Sequence, residues 1–226
     1  MTNTKDIVNV VITSDLMCPW CWVGLRKLQE ASKNAQLDMR ITWKPFLLRP
    51  NMPEEGVLKS DPTPNSRVGH RLRQAGQQVG IHFTGLTDRT PNTTLFHAVM
   101  DLFQEELHVD ARLVTAFHEA AFEGYFTLGE FPDQTGLLKA ARRVQQQQPH
   151  RGAALLVEHM EAFFQDKEKV EATKKHVRDQ SFEASRRGIS SVPTFEFNEE
   201  NVFSGAQPVA TFEVLLSAAV DSGRAW

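Results

Sequence analysis

The sequence predicts an α/β fold whose small sheet is interrupted by a long helical block. Three observations predict it. The chain opens on a strand–helix–strand pattern, it closes on a strand–strand–helix pattern, and only helical periodicity lies between them. Its 226 residues are 41% hydrophobic and 23% charged, which is enough apolar surface to fold one core without staples and too much for wholesale disorder.

The run Ile7-Val8-Asn9-Val10-Val11-Ile12 is β-branched almost throughout, and Ser14 and Asp15 end it. It reads as a central strand covered on both faces. A helix follows from about Pro19 to Ala35, with Trp22, Leu25, Leu28 and Ala31 inward and Arg26, Lys27, Glu30 and Lys33 outward. Leu37, Met39, Ile41 and Trp43 then alternate with polar residues, and Pro45 stops this second strand. A helical connection between the two implies a right-handed crossover and parallel pairing. Residues 46–64 are proline-rich and read as a loop.

From Asn65 to Arg187 the apolar residues recur at helical spacing. Leu95, Ala98, Val99, Leu102 and Phe103 form one stripe, and Leu113, Ala116, Phe117, Ala120 and Ala121 a second. Leu137, Leu138, Ala141 and Val144 form a third, entered through Asp133 as N-cap, and Leu156, Met160, Phe163 and Phe164 a fourth. A charged helix from about Lys167 to Arg187 ends at Gly188. Val192, Phe195 and Phe197, the polar turn Asn198-Glu199-Glu200-Asn201, then Val202 and Phe203, predict a hairpin with a four-residue loop. Phe212, Leu215, Leu216, Ala219 and Val220 predict a final amphipathic helix.

Composition excludes several function classes. The formal net charge of −3 provides no basic field for nucleic acid. No apolar run has the ~18 residues of a membrane span. The run from Ile7 to Ile12 lacks the basic flank and small-residue site of a signal peptide. These features predict a cytoplasmic protein with neither nucleic acid nor membrane as partner. The sequon Asn92-Thr93-Thr94 carries no meaning there.

Chemistry concentrates in Cys18-Pro19-Trp20-Cys21, the chain's two cysteines, placed after a buried strand and at the start of a helix. That context reads as a redox dithiol. Cysteines one helical turn apart share a face and close a disulfide with small backbone shifts. Unpaired N–H groups and the positive end of the helix dipole favour the Cys18 thiolate, and Pro19 suits the first turn because its missing donor has no partner there. Cys18 is therefore the candidate nucleophile and Cys21 the resolving thiol, with Pro19 and Trp20 modulating the pair. Inert core cysteines are the plainer alternative, and the loop-to-helix junction argues against it. A zinc site needs about four ligands, and the eight histidines are scattered away from the pair, so no metal is expected.

The segment Met17-Cys18-Pro19-Trp20-Cys21-Trp22-Val23-Gly24 resembles the active-site segment of the DsbA-like thioredoxin-fold oxidoreductases, in particular the FrnE subfamily. Trp43 to Met52, Asn92-Thr93 with His97, Ser191-Val192-Pro193-Thr194-Phe195 and Ser204-Gly205-Ala206-Gln207 are similar to further segments of that family, in the right order. The resemblance implies a thioredoxin fold with a mixed central sheet, formed by residues 1–64 and 188–226 and interrupted by an all-helical insertion at 65–187. It implies that Pro193 is a cis-proline facing the dithiol, and that the Val192 backbone binds substrate as an added strand would. A trans proline opening a strand is the alternative that the residues alone leave open.

The chain departs from that pattern in places. Thioredoxins and DsbA carry a buried acid six residues before the nucleophile, where this chain has Ile12. Asp15 reads as solvated or as capping the turn, and His97, Trp22, Trp43 and Phe46 read as core. Without a second cysteine pair, electrons must come from an external small thiol or another protein, and no cofactor is expected. The expected activity is thiol–disulfide exchange on a disulfide- or dithiol-bearing protein or small metabolite. The helical block is expected to pack over the dithiol and to line a hydrophobic cleft with it. The alternatives are a glutathione-dependent isomerase or transferase of the kappa-class and 2-hydroxychromene-2-carboxylate isomerase group, which generally has serine where this chain has Cys18, and a non-catalytic polypeptide-binding module.

Overall fold

A computed structural model describes residues 7–199 and 201–223. Its main sheet has the order β2 (Asp38–Pro45), β1 (Ile7–Ser14), β5 (Thr194–Phe197), β6 (Asn201–Ser204). β1 pairs parallel with β2, through the crossover helix α1 (Pro19–Asn34). β5 runs antiparallel to β1 and to β6, so the sheet is mixed. Ile12 lies between Trp43 on β2 and Phe195 on β5, at the end of the sheet that leads into the cysteines. The final helix α8 (Val209–Gly223) packs on α1, β1 and β5, and Phe212 meets the rings of Phe195 and Phe197 at 4.9 and 6.5 Å.

Several expectations shift. β1 is covered on both faces only towards its end, because Ile7 and Asn9 are exposed while Ile12, Thr13 and Ser14 are buried. Pro45 is the last residue of β2 rather than the one after it, since an edge strand can end on a residue without a donor. β6 begins at Asn201, one residue before the predicted return strand, where Asn198 and Glu199 turn tightly with φ of +47° and +64°.

The helical segment comprises α2 (His70–Gln78), α3 (Thr94–Asp101), α4 (Ala111–Glu123), α5 (Gln134–Gln147), α6 (Arg151–Gln165) and α7 (Lys167–Arg186). Single π-helical turns prolong α3 through Leu102–Glu106 and α4 through Gly124–Leu128. Asp133 caps α5 by accepting from the Gly136 N–H at 2.9 Å. Gly188 follows α7 at φ +90°, a conformation that L side chains avoid. Helix α2 and the two-residue ladder of β3 (Val57–Leu58) with β4 (Arg89–Thr90) were not foreseen; the ladder ties the proline-rich segment to the helical one.

Aromatic packing joins the helical segment to α1. Trp22 of α1 meets Phe83 and Phe122 at 5.9 and 6.3 Å, and Phe96 packs on Phe117 and Phe122. Each such buried ring contributes about 1.5–3 kcal/mol of transfer free energy. Polar contacts seal the edge of β2. The Gln104 amide accepts from the Trp43 N–H at 2.7 Å and donates to the Trp43 carbonyl at 3.0 Å, and the Leu47 N–H donates to the Ser181 hydroxyl at 2.8 Å. Gln104 sits in the first π-helical turn, and its side chain stands in for a neighbouring strand.

Candidate active site

Cys18 is the N-cap of α1, in extended conformation, with Pro19 in the first turn. Its N–H donates to the Asp15 carbonyl at 2.9 Å, which folds the loop after β1 back over the helix start. Its half-buried thiol donates to the Val192 carbonyl at 3.5 Å. Val192–Pro193 is a cis peptide, as the resemblance implied, and the Pro193 carbonyl accepts from Gly205 N–H at 2.7 Å. Cys21 lies one turn inside and is 1% exposed. Both thiols are free.

The two sulfurs are pushed apart electrostatically. A hydrogen bond from the Cys21 thiol, helped by the N–H groups of Cys21 and Trp20, holds the Cys18 thiol below its ordinary value against the opposing pull of burial. Burial raises the Cys21 thiol well above its own, and the neighbouring Cys18 adds to this. The pair thus offers a half-buried, activated nucleophile and a buried, protonated partner. Pro19 and Trp20 are half-buried beside it, and Arg71 lies 5.8 Å from the Trp20 ring centre.

Gly24 makes close approach possible. A Cβ on it would lie 3.0 Å from Phe195 and 3.1 Å from the Pro193 ring, so the missing side chain lets α1 carry the cysteines against the cis-proline loop.

Asp15 is buried rather than solvated, and the turn-capping alternative holds, since it accepts from the N–H two residues on. It is 0% exposed, and its carboxylate accepts from the Met17 N–H at 3.1 Å, the Leu48 N–H at 2.8 Å and the Thr93 hydroxyl at 2.7 Å. His97 Nε2 lies 3.7 Å from the same carboxylate. Asp15 therefore ties together β1, the segment after β2 and the start of α3 directly beneath the cysteines, and its charge works against the Cys18 thiolate. His97, Trp22, Trp43 and Phe46 are core, as read.

A second feature had no place in the sequence reading. The Ser14 hydroxyl acts on the Cys21 thiol and lies 3.4 Å from His118 Nε2. The His118 ring is stacked between Trp43 at 3.5 Å and Phe122 at 4.5 Å. Burial, with His97 nearby, holds it well below the ordinary histidine value, so it is neutral. A signal for it existed, because His118 sits midway between Val114 and Phe122 on the apolar face of α4.

A cleft of about 260 Å³ opens beside Met17 and Pro19, with Phe83, Tyr125 and Phe126 on the side of the helical segment. The expected hydrophobic lining is only half of its character, because Arg49, Lys59 and Arg67 line it too. Lys59 donates to the Thr87 carbonyl and lies 5.0 Å from the Tyr125 ring centre; burial and the charge of Arg67 hold its ammonium below the ordinary lysine value. Arg67 spends its donors on the carbonyls of Asp61, Pro62, Gly85 and Leu86. Among the described residues none of the three cations forms an ion pair with a carboxylate, and no group of three His, Cys, Asp or Glu side chains could hold a metal ion.

Comparison with known proteins bears on the family and the fold. The family model for the DSBA-like thioredoxin domain matches residues 9–217. An uncharacterised protein, YwbO of Bacillus subtilis (strain 168), is 28% identical over 101 residues, which span 45% of this chain and 46% of that protein. Among solved structures, a probable DsbA oxidoreductase from Streptomyces coelicolor superposes with a TM-score of 0.68 at 23% identity, covering 94% of this chain and 89% of that one. A 2-hydroxychromene-2-carboxylate isomerase gives 0.62 at 14% identity, over 96% and 98%. The cytosolic disulfide reductase DsbM from Pseudomonas aeruginosa, solved with GSH, gives 0.55 at 16% identity, over 94% and 99%. At these identities the structural likenesses bear on the fold.

Proposed function

The chain belongs to the DSBA-like thioredoxin domain family, and from that premise we propose that it is a thiol–disulfide oxidoreductase whose working group is the Cys18–Cys21 dithiol. The observation that carries this reading is the asymmetry of the two thiols: Cys18 half-buried at a helix N-terminus with its thiol lowered, Cys21 buried with its thiol raised. The Cys18 thiolate attacks one sulfur of a substrate disulfide, forming a Cys18–substrate disulfide and releasing the other half as thiolate. Cys21 then loses its proton and attacks the Cys18 sulfur, and the second half leaves as thiolate. Two electrons pass from the dithiol to the substrate. An external thiol returns them, and the reverse sequence oxidises a substrate dithiol.

Val192 and Pro193 form the substrate-facing wall, where the Val192 backbone reads an extended chain, while Pro19 and Trp20 shape the helix start. The cation-lined cleft favours a substrate that carries carboxylates near its disulfide, whether a protein or a small metabolite. The thioredoxin-like unit is residues 1–64 and 188–226, with 65–187 as the helical insertion. The compartment is the cytoplasm; among the described residues no helix is long and apolar enough to cross a membrane. An isomerase or transferase that works through a bound thiol has no use for a resolving cysteine, and Cys21 is what favours the oxidoreductase over it.

The test is a trap. With Cys21→Ser, a disulfide substrate should accumulate as a stable adduct on Cys18 that mass spectrometry identifies, and turnover should stop. Turnover at the wild-type rate in Cys18→Ser would defeat the assignment.

A further inference from the structure

Resolution requires that a thiol 1% exposed lose its proton. Ile12, six residues before Cys18, is fully buried and aliphatic and can take no proton. Another group within reach must accept the proton, or the resolving step waits for hydroxide to reach the core.

Two buried polar groups, Ser14 and His118, adjoin each other near Cys21. The Ser14 hydroxyl acts on the Cys21 thiol, and His118 Nε2 lies 3.4 Å beyond it. The stacked faces of Trp43 and Phe122 fix the plane of the imidazole and would stabilise a transient imidazolium between them. His118 and Ser14 border a cavity of about 10 Å³, close to the room one water needs, whose wall also includes His97, Asp101, Gln104 and Gln180. His118 Nδ1 and His97 Nε2 are buried without hydrogen-bond partners, and both residues face this cavity. Gln104 and Gln180 are half-buried and Glu105 at the mouth is exposed, so the cavity leads from the core to the surface.

We propose that Ser14 and His118 form a proton relay that deprotonates Cys21 during resolution and delivers the proton through this cavity. This rests on the oxidoreductase reading. Ser14 takes the Cys21 proton as it gives its own to His118 Nε2, in the tautomer protonated at Nδ1. The Cys21 thiolate attacks the Cys18 sulfur, the Cys18–substrate bond breaks, and the substrate thiolate leaves with the electron pair. The Ser14 hydroxyl then donates to Cys21, and the imidazolium passes a proton towards solvent. The titratable and charged groups that border the cavity with His118 are Lys44 on β2, His97 and Asp101 on α3, and Glu105 in the π-helical turn; Asp15 lies 3.7 Å from His97 Nε2, and His176 on α7 lies 3.9 Å from Asp101.

The experiment follows single turnover of the reduced protein with dithiobis(nitrobenzoate), which releases one coloured thiolate on attack by Cys18 and a second on resolution by Cys21. In His118→Phe, which keeps the aromatic stack, and in Ser14→Ala, the first release should keep its wild-type rate. The second should slow by about 100-fold, the lower range for a positioned proton acceptor, and should become proportional to hydroxide. In the wild-type chain the second release should slow in deuterium oxide. A second release with wild-type rate and pH dependence in whichever of the two variants folds would overturn the relay, as would the lack of a solvent isotope effect in the wild type. No first release from the wild-type chain would instead defeat the oxidoreductase reading.

Discussion

Only one helical turn separates Cys18 from Cys21, yet one thiol is drawn below its ordinary value and the other is pushed well above it. Solvent access and the direction of hydrogen bonding make the difference: Cys18 accepts hydrogen bonds from the Cys21 thiol and two helix N–H groups, while Cys21 is 1% exposed. Asp15 limits how far Cys18 can fall, because its buried carboxylate raises the Cys18 thiol. Asp15→Asn removes that charge in nearly the same volume. The midpoint of Cys18 alkylation against pH should then move down, so that iodoacetamide reacts faster with the variant at any pH below the wild-type midpoint. The same change should cost about 1–3 kcal/mol of stability, since an amide cannot accept from all of Met17, Leu48 and Thr93. An alkylation midpoint that stays or rises would show that Asp15 does not act on Cys18 by its charge.

At the level of elements, α1 can present the dithiol only because Gly24 lets it lie against β5 and the cis-proline loop. Gly24→Val should force a shift, because the rings it would meet are the buried Phe195 and Pro193 and neither can swing away. Overpacking of this kind costs about 1–3 kcal/mol. The urea midpoint should fall with an unchanged slope, and trapping of substrate on Cys18 should slow with it. Stability equal to wild type would mean that the contact is loose. This position also shows what a sequence can disclose. Strands β1 and β2, the crossover helix and the stripes of α4 to α7 were legible because each buries a regular apolar face. Helix α2 was not, since it fully buries only Gly76 and offers just Leu72 and Ala75 as partly buried apolar side chains, and a two-residue ladder such as β3–β4 has no period to detect. The dithiol was legible from spacing and context. The burial of Asp15 was not, because its partners Leu48 and Thr93 lie 33 and 78 residues along the chain. His118 lay in plain view within an apolar stripe, but nothing local points its Nε2 at Ser14.

Taken as a whole molecule, the charge is distributed against the net. The chain carries a formal charge of −3, yet Arg49, Lys59 and Arg67 line the cleft beside the helix that carries Cys18, without carboxylate partners among the described residues. Their side chains come from the segment after β2 and from the approach to α2, so only the assembled fold places them beside the dithiol. A concave basic site with low-dielectric aromatic walls attracts anions over a distance of about a Debye length, roughly 10 Å at 0.1 M salt. Arg49 is the exposed member of the set, and its replacement leaves the hydrogen bonds of Lys59 and Arg67 in place. With Arg49→Glu, the second-order rate of reaction with dithiodiglycolate, a disulfide with two carboxylates, should fall by about tenfold at low ionic strength. The neutral 2-hydroxyethyl disulfide should react as it does with the wild type. Added salt should bring the two proteins together on the anionic substrate, since screening removes attraction and repulsion alike. If both disulfides slow equally, the substitution has disturbed the dithiol itself and the cleft does not select by charge; if neither slows, the cations lie outside the path that a substrate takes to Cys18.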